Sequence, residues 1–268
     1  MCAHPPINRM IFSGVGLKHE AIPAPVGRLL RGKTMVAEAL MLRILSGDYP
    51  AGKPLPNEAS LLGEFGVSRT CLREALQMLA AKGLVRSRPK LGTFVREEHD
   101  WNFLDADILR MRQRVVSKPV FLRDLFAVRR MVEPETAALA AVNATPAMLA
   151  KLQASVLDMA SGNGARTETT VEADVAFHRL LLAASGNALL SGLGACIEEA
   201  LRSSIDITSH PDVGSPFALD KHLAVFKAVR DGDAGAARKA MTALLDMTED
   251  TLEKAEYGVS EPAHVESD

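Results

Sequence analysis

The sequence predicts a mostly α-helical protein with two parts, a small basic module followed by a larger acidic region. Aromatic residues make up only 4% of the 268 residues, and Ala, Leu and Met are frequent while alternating β-branched runs are scarce, which favours helices. The formal charge is +3 over residues 1–32, +5 over 33–96 and −10 over 97–268. This segregation indicates a basic binding module joined to an acidic domain with a different task.

The composition also excludes several classes of protein. The cysteines at positions 2, 71 and 196 are too few and too widely spaced for a disulfide framework or a CxxC metal site, which favours a cytoplasmic protein. No stretch resembles a signal peptide or a membrane span, so no membrane partner is expected. Residues 1–32, with their prolines and glycines, are interpreted as a flexible leader, and residues 258–268 as a disordered tail.

The basic module has the pattern of a winged helix-turn-helix. Apolar residues recur at helical spacing over 34–44, and Asn57 can cap a second, short helix. Gly66 forms the tight turn before a third helix that starts at Ser68, and two helices joined by such a turn are typical of DNA-binding proteins. Two short strands around a Pro-Lys-Leu-Gly turn predict a hairpin, or wing, over 84–96.

The third helix carries two arginines where the helix dipole disfavours them. Arg69 lies in the first turn and Arg73 one turn later, although a cation near a helix N-terminus costs a few tenths to about 1 kcal/mol. A helix start pointed into a DNA major groove explains the pattern, because Ser68 and Thr70 can bind phosphate while an arginine reads guanine. The alternative is a solvated basic face on a helical hairpin. The other predicted DNA-binding residues lie in the wing: Arg88, Lys90, Gly92 and Thr93.

Five runs of the basic module occur together in one known family. They are Leu55-Pro56-Asn57-Glu58, Phe65-Gly66-Val67-Ser68-Arg69-Thr70, Leu72-Arg73-Glu74-Ala75-Leu76, Gly83-Leu84-Val85 and Gly92-Thr93-Phe94-Val95. In this order they resemble the winged helix-turn-helix of the GntR family of bacterial transcription regulators. The resemblance implies that Arg69 and Arg73 contact operator bases and phosphates.

The acidic region is divided into about seven helices by proline, glycine and asparagine signals. We assign residues 97–118 to a linker with the first helix, and residues 119–257 to an all-α bundle. Bundles of this kind build ligand sites from side chains on facing helices. The predicted helices are 102–113, 119–142 with a kink or break at Pro134, 146–160, 169–184, 188–206, 217–231 and 234–256.

Several polar residues lie on the apolar faces of these helices. Asp174 and His178 are four residues apart and share one face, and His222 lies on the apolar stripe of a later helix. Carboxylate and imidazole groups that point into a core can hold a divalent transition metal, although a hydrogen-bonded Asp–His pair fits the spacing equally well. Arg129 interrupts another apolar stripe, and a buried arginine needs an anionic partner. That partner is Glu133, Glu135 or the carboxylate of a ligand.

The acidic region also has runs in common with one subfamily. They are residues 124–134, Asp174-Val175-Ala176-Phe177-His178, Ser185-Gly186-Asn187 and residues 222–233. They look like the C-terminal effector domain, called FCD, of the FadR subfamily. The resemblance implies that this domain dimerises and that Asp174, His178 and His222 hold zinc or a similar ion at the floor of a cavity for small carboxylates. It also implies effector contacts from Arg129 and Asn187, while Leu244 stands where a further histidine ligand is expected.

Both resemblances predict a ligand-responsive transcription repressor. Residues 101–109 are similar to the linker of the galactonate-operon repressor branch, which suggests a sugar acid as the effector and a carbohydrate-acid operon as the target. We expect a homodimer in which each subunit places its third helix and its wing on one half-site of a palindromic operator. The alternative is a metal-dependent enzyme acting on a sugar acid, with the basic module as an accessory. This alternative lacks a general base beside the proposed ligands and a Ser/His/Asp or Cys/His arrangement.

Overall fold

The computed structural model describes residues 32–162, 167–208 and 219–257 of the chain. Within these residues the predicted fold class is confirmed, since a winged helix-turn-helix is followed by an all-α domain. The leader predicted for residues 1–32 lies outside the described residues apart from Gly32, as does the tail predicted for 258–268.

The N-terminal domain combines helices with a two-stranded antiparallel wing. Its strands pair with Val85 opposite Val95 and Arg88 opposite Gly92. The apolar faces of the helices and the inner side of the wing form one buried cluster. The elements are α1 (Lys33–Leu45), α2 (Glu58–Phe65), α3 (Arg69–Ala81), β1 (Val85–Arg88) and β2 (Gly92–Val95).

Local caps determine where α3 begins. The Asn57 side chain accepts a hydrogen bond from the backbone N–H of Ser60 at 2.9 Å and caps α2. Gly66 ends α2 in the left-handed region with a φ of +60°, which costs glycine little. The Ser68 hydroxyl then accepts a hydrogen bond from the backbone N–H of Cys71 at 3.2 Å. The Asn57 cap, the Gly66 turn and the start of the helix at Ser68 were predicted from the sequence, whereas the capping hydrogen bond of Ser68 was not.

A helix between the two domains, α4 (Ala106–Val115), begins later than the predicted range of 102–113. The Asp105 side chain caps it, accepting hydrogen bonds from the first backbone N–H groups of the helix. The same carboxylate and that of Asp107 pair with Lys82 at 2.7 and 2.8 Å. Because Lys82 follows the last turn of α3, these ion pairs tie the start of α4 to the DNA-binding domain.

Side chains of α4 belong to the cores of both domains. Ile108 and Met111 pack into the N-terminal cluster. Leu109 instead packs against Phe121 and Leu125 of the following helix. A shift of α4 would therefore disturb packing in both domains.

The C-terminal domain follows the predicted helices with two differences. The helix predicted over 188–206 is two helices that break at Leu193, and the helix with Pro134 inside it is continuous. Residues 217 and 218, predicted as helical, lie outside the described residues. The elements are α5 (Lys118–Asn143), α6 (Pro146–Ser161), α7 (Glu168–Ala184), α8 (Ala188–Gly192), α9 (Gly194–Thr208), α10 (Leu219–Arg230) and α11 (Ala234–Tyr257).

Three of these helices meet where the polar residues were predicted. α5 packs against both α7 and α10, and all three share one apolar cluster with α6 and α11. Polar side chains on the inner faces of α5, α7 and α10 are therefore brought together inside the domain.

Candidate DNA-binding face and buried metal site

The first turn of α3 is exposed, as a DNA-reading helix requires. Ser68, Arg69 and Thr70 are all solvent-exposed. The side chain of Arg73 is 69% exposed, and its ion pair with Glu58 is loose, with Nε 3.7 Å from Oε1. A loosely held arginine can turn toward a base or a phosphate at little cost. The structure thus leaves these four predicted contacts accessible.

The wing presents its basic residues to solvent. Arg88 and Lys90 are exposed, whereas Thr93 is half-buried. The Arg88 guanidinium lies over the Phe94 ring, 4.7 Å from the ring centre, so it is oriented before any ligand binds. Lys90 has a φ of +64° and Gly92 a φ of +97°, which produces the tight turn at the wing tip. The role of these residues in binding DNA stays a prediction.

Asp174, His178 and His222 form a cluster inside the C-terminal domain. Asp174 and His178 lie one turn apart on α7, and His222 comes from α10. Asp174 Oδ1 is 3.4 Å from His178 Nε2 and 3.0 Å from His222 Nε2. One ligand atom from each residue lies within 4.8 Å of the others, and all three residues are buried. The structure therefore brings together the three residues predicted as metal ligands.

The helix start and the packing around the cluster keep these side chains in place. α7 begins with a capping box in which the side chains of Thr167 and Thr170 each accept a hydrogen bond from the backbone of the other residue. Phe177 packs edge-on against both imidazoles, with ring centres 5.7 Å from His178 and 5.3 Å from His222. Because Phe177 is fully buried, the imidazoles have little freedom to turn.

The donor set fits a zinc-like ion. One carboxylate oxygen and two imidazole nitrogens are ligand types that zinc accepts. Two ligands at 2.0–2.1 Å from a tetrahedral ion would be roughly 3.3 Å apart, close to the 3.0 and 3.4 Å separations here. Catalytic and ligand-binding zinc sites keep three protein ligands and one open position, so the absence of a histidine at Leu244 does not exclude an ion.

A buried ion pair extends the cluster onto α5. Arg129 Nε lies 2.6 Å from Glu133 Oε1, and both side chains are almost completely buried. The other oxygen of Glu133, Oε2, lies 2.6 Å from His178 Nδ1, a close ion-pair contact whose angle is poor for a hydrogen bond. Of the two glutamates weighed as partners of Arg129, the structure selects Glu133, while Glu135 pairs on the surface with Arg238.

Arg129 nevertheless keeps one donor for a ligand. Its Nη1 is buried and has no hydrogen-bond partner among the described residues. A buried guanidinium N–H without an acceptor is costly, so an anion bound at this position would be stabilised.

The charged forms of His178, Glu133 and Asp174 are favoured in the buried site. Burial opposes the charge on His178, but the carboxylates of Glu133 and Asp174 outweigh it and raise the pKa of His178 to about 9. Burial also opposes the charge on Glu133, yet Arg129 and His178 outweigh it and lower its pKa to about 2. The pKa of Asp174 is lowered as well, because the two histidines outweigh its burial.

We expect the stability of the metal-free protein to fall as the pH rises from 6.5 to about 9. The pKa of His178 is 6.5 in a model peptide and about 9 in the folded chain, so its contribution is complete below 6.5 and is lost as the pH rises through 9. Urea unfolding of chelator-treated protein across this range measures the effect. His178→Gln should flatten the profile between these pH values, and equal slopes for both proteins would contradict the expectation.

Two other predicted positions lie apart from the cluster. Asn187 is exposed, and its side chain accepts hydrogen bonds from the backbone N–H groups of Leu189 and Leu190, so it caps α8. Its predicted contact with an effector has no support in this geometry. Leu244 is buried in the apolar core of the domain and offers no ligand atom.

Sequence reasoning identified Glu133 only as a partner for Arg129. Its contact with His178 joins α5 to α7 across 45 positions of the chain, and no local spacing reveals such a contact. The signal available in the sequence was that Arg129 and Glu133 have opposite charges, lie four residues apart and share an apolar helix face. Such a pair is expected to be buried and to need further polar partners.

Comparisons with known proteins agree with both halves of the architecture. Residues 33–95 match the family model described as bacterial regulatory proteins, gntR family, and residues 124–247 match the FCD domain model. The structure of the Listeria monocytogenes protein Lar, described as controlling the expression of the agr system, aligns over 85% of this chain and 98% of its own with a TM-score of 0.59. At 20% identity, that likeness supports the fold alone.

Curated relatives match most of the chain. The galactonate operon transcriptional repressor of Escherichia coli K12 is 34% identical over 204 residues, which cover 76% of this chain and 89% of the relative. The uncharacterized HTH-type transcriptional regulator YieP of the same strain is 35% identical over 79% of this chain and 91% of its own. In the described part of the chain, no helix is both long and apolar enough to cross a membrane. The chain therefore belongs to the GntR family, carries an FCD domain, and is a DNA-binding transcription regulator rather than an enzyme.

Proposed function

We propose that this protein is a homodimeric repressor of a carbohydrate-acid catabolic operon and leaves its operator when a small carboxylate binds in the FCD domain. The observation that carries the proposal is the buried Asp174, His178 and His222 cluster, with the unpartnered Nη1 of Arg129 on a neighbouring helix. An anion and a metal ion are the two kinds of group that such a site stabilises. The similarity to a galactonate operon repressor supports a sugar acid as the anion.

Asp174, His178 and His222 would hold the ion, and zinc is the best match to their donor types. When bound, the ion would supply positive charge and an open position for a carboxylate or hydroxyl oxygen of the effector. Arg129 would bind the remaining negative charge of the effector through Nη1. The apolar surroundings exclude water, which strengthens both interactions.

The route that we propose from the effector site to DNA runs through α5 and α4. Arg129 lies one turn along α5 from Leu125, which packs against Leu109 of α4. The neighbours of Leu109 on α4, Ile108 and Met111, are part of the DNA-binding core. A movement of α5 on effector binding would thus be transmitted to α3, and a dimer would respond by changing the spacing of its two α3 helices.

A gel shift on the DNA that flanks the gene for this chain tests the proposal. We expect a shifted complex that is released by one acid from a panel of hexonates, hexuronates and short hydroxy acids. The release should be lost after treatment with a chelator and should return with added zinc. No shift on any such DNA would contradict the operator assignment, and release by the acid in the presence of the chelator would contradict the metal.

A further inference from the structure

The carboxylate of Glu133 pairs with both Arg129, the proposed effector contact, and His178, a proposed metal ligand. We infer that Glu133 is a positioning residue: it sets the orientation and tautomer of the metal ligand His178 and fixes which edge of Arg129 remains for an effector. This inference rests on the proposed metal site. It assigns a role to a residue that offers no ligand atom to the Asp174, His178 and His222 cluster.

Both oxygens of Glu133 have partners, and Oε2 lies near both His178 and Arg129 Nη2. Oε1 is 2.6 Å from Arg129 Nε, and Oε2 is 2.6 Å from His178 Nδ1. The side chain is 3% exposed, so water does not compete for these oxygens. Glu133 and Arg129 lie one turn apart on α5 and His178 lies on α7, so the carboxylate also links two helices.

The contact with His178 determines which nitrogen faces the cluster. An imidazole that binds a metal through Nε2 must be neutral and carry its proton on Nδ1. A carboxylate beside Nδ1 favours that proton position, and the other nitrogen, Nε2, is the one that lies 3.4 Å from Asp174 Oδ1. Glu133 therefore selects the tautomer that leaves the lone pair of Nε2 directed at the proposed ion.

The contact with Arg129 determines where an anion can bind. Glu133 takes Nε at 2.6 Å and lies 3.4 Å from Nη2. The guanidinium also lies over the Phe126 ring, 5.1 Å from its centre, which restrains its plane. Within the described parts of the chain, the nitrogen left without a hydrogen-bond partner is Nη1. An effector carboxylate would thus meet the end of the guanidinium, where Nη1 and the second N–H of Nη2 lie, and not the Nε side that Glu133 occupies.

Glu133→Gln should affect the tautomer of His178 more than it affects the fold. The amide group of Gln cannot accept from both Arg129 and His178 at once. If its oxygen faces Arg129, its NH₂ faces Nδ1 and favours the tautomer with the proton on Nε2, which cannot bind a metal through Nε2. Loss of a residue that orients a metal ligand without binding the metal itself lowers metal affinity by about 10- to 100-fold.

The test is a titration of zinc, with a competing chelator, into metal-free full-length protein. We expect Glu133→Gln to bind zinc about 10- to 100-fold more weakly than the wild type. The matched control is Glu135→Gln, which removes an exposed carboxylate from the same helix and should leave zinc affinity unchanged. Nitrogen-15 NMR of the zinc-loaded proteins gives a second readout, and in the wild type it should show Nδ1 of His178 protonated.

A second pair of variants guards against a folding defect, because Glu133→Gln leaves Arg129 as a buried cation without its counter-ion. Arg129→Met removes that cation, and Arg129→Met with Glu133→Gln should bind zinc about 10- to 100-fold more weakly than Arg129→Met alone. Equal zinc affinity with and without the glutamate would overturn the inference while leaving the metal site intact. Absence of zinc binding by the wild type would overturn the metal site and the inference together.

Discussion

Arg73→Ala should abolish tight operator binding without affecting the binding of an effector. The arginine lies one turn into α3 and is largely exposed, so its truncation removes no packing. A good bidentate contact with a base is worth about 1–3 kcal/mol, or roughly 5- to 150-fold in affinity for each subunit. In the proposed homodimer the residue is used twice, so the loss should be close to the product of two such factors. A quantitative gel shift and a calorimetric titration of the effector measure the two activities separately.

Arg123→Ala is the matched control for this experiment. Arg123 lies on α5 in the C-terminal domain and is 73% exposed, so its removal changes the net charge by the same amount away from α3. The Arg123→Ala variant should bind the operator as tightly as the wild type does. If Arg73→Ala weakened both operator and effector binding, or neither, the separation of tasks between the two domains would be wrong.

Asp174→Asn should produce a repressor that no longer responds to its effector. Asp174 Oδ1 is the atom shared by the contacts with His178 and His222, and a neutral amide oxygen is a much weaker metal ligand. We expect zinc affinity to fall by more than roughly 100-fold, which is the largest typical loss when a residue that only orients a metal ligand is removed. The DNA-binding face is in another domain, so the operator complex should persist at effector concentrations that release the wild type.

Glu172→Gln controls for the loss of a carboxylate on the same helix. Glu172 is exposed and pairs with Arg202 at 2.7 Å, so it serves no function in the buried cluster. The effector should release the operator complex of the Glu172→Gln variant at the same concentrations as it releases the wild-type complex. Release of the Asp174→Asn complex at wild-type effector concentrations would show that the effector binds without this carboxylate.

The parts of the fold that depend on local signals were predictable. Asn57, Gly66 and Ser68 act through contacts within a few residues, so the start of α3 and its exposed arginines follow from the sequence. The same holds for the shared face of Asp174 and His178, because four residues make about one helical turn.

Other features depend on contacts between distant segments or on weak local signals. The pairing of His222 with Asp174 spans 48 positions, and only packing of α10 against the rest of the bundle produces it. The contact of Glu133 with His178 is of the same kind. The late start of α4 reflects competition between two plausible first residues, which the side chain of Asp105 decides by capping. The break at Leu193 has no proline to mark it.

Anomalous diffraction from a zinc-soaked crystal tests directly whether Asp174, His178 and His222 hold one metal ion. We expect one strong anomalous peak per chain, about 2.0–2.2 Å from a carboxylate oxygen of Asp174 and from one nitrogen of each imidazole. A crystal with no peak at these residues, or with its only peaks on surface side chains, would contradict the claim.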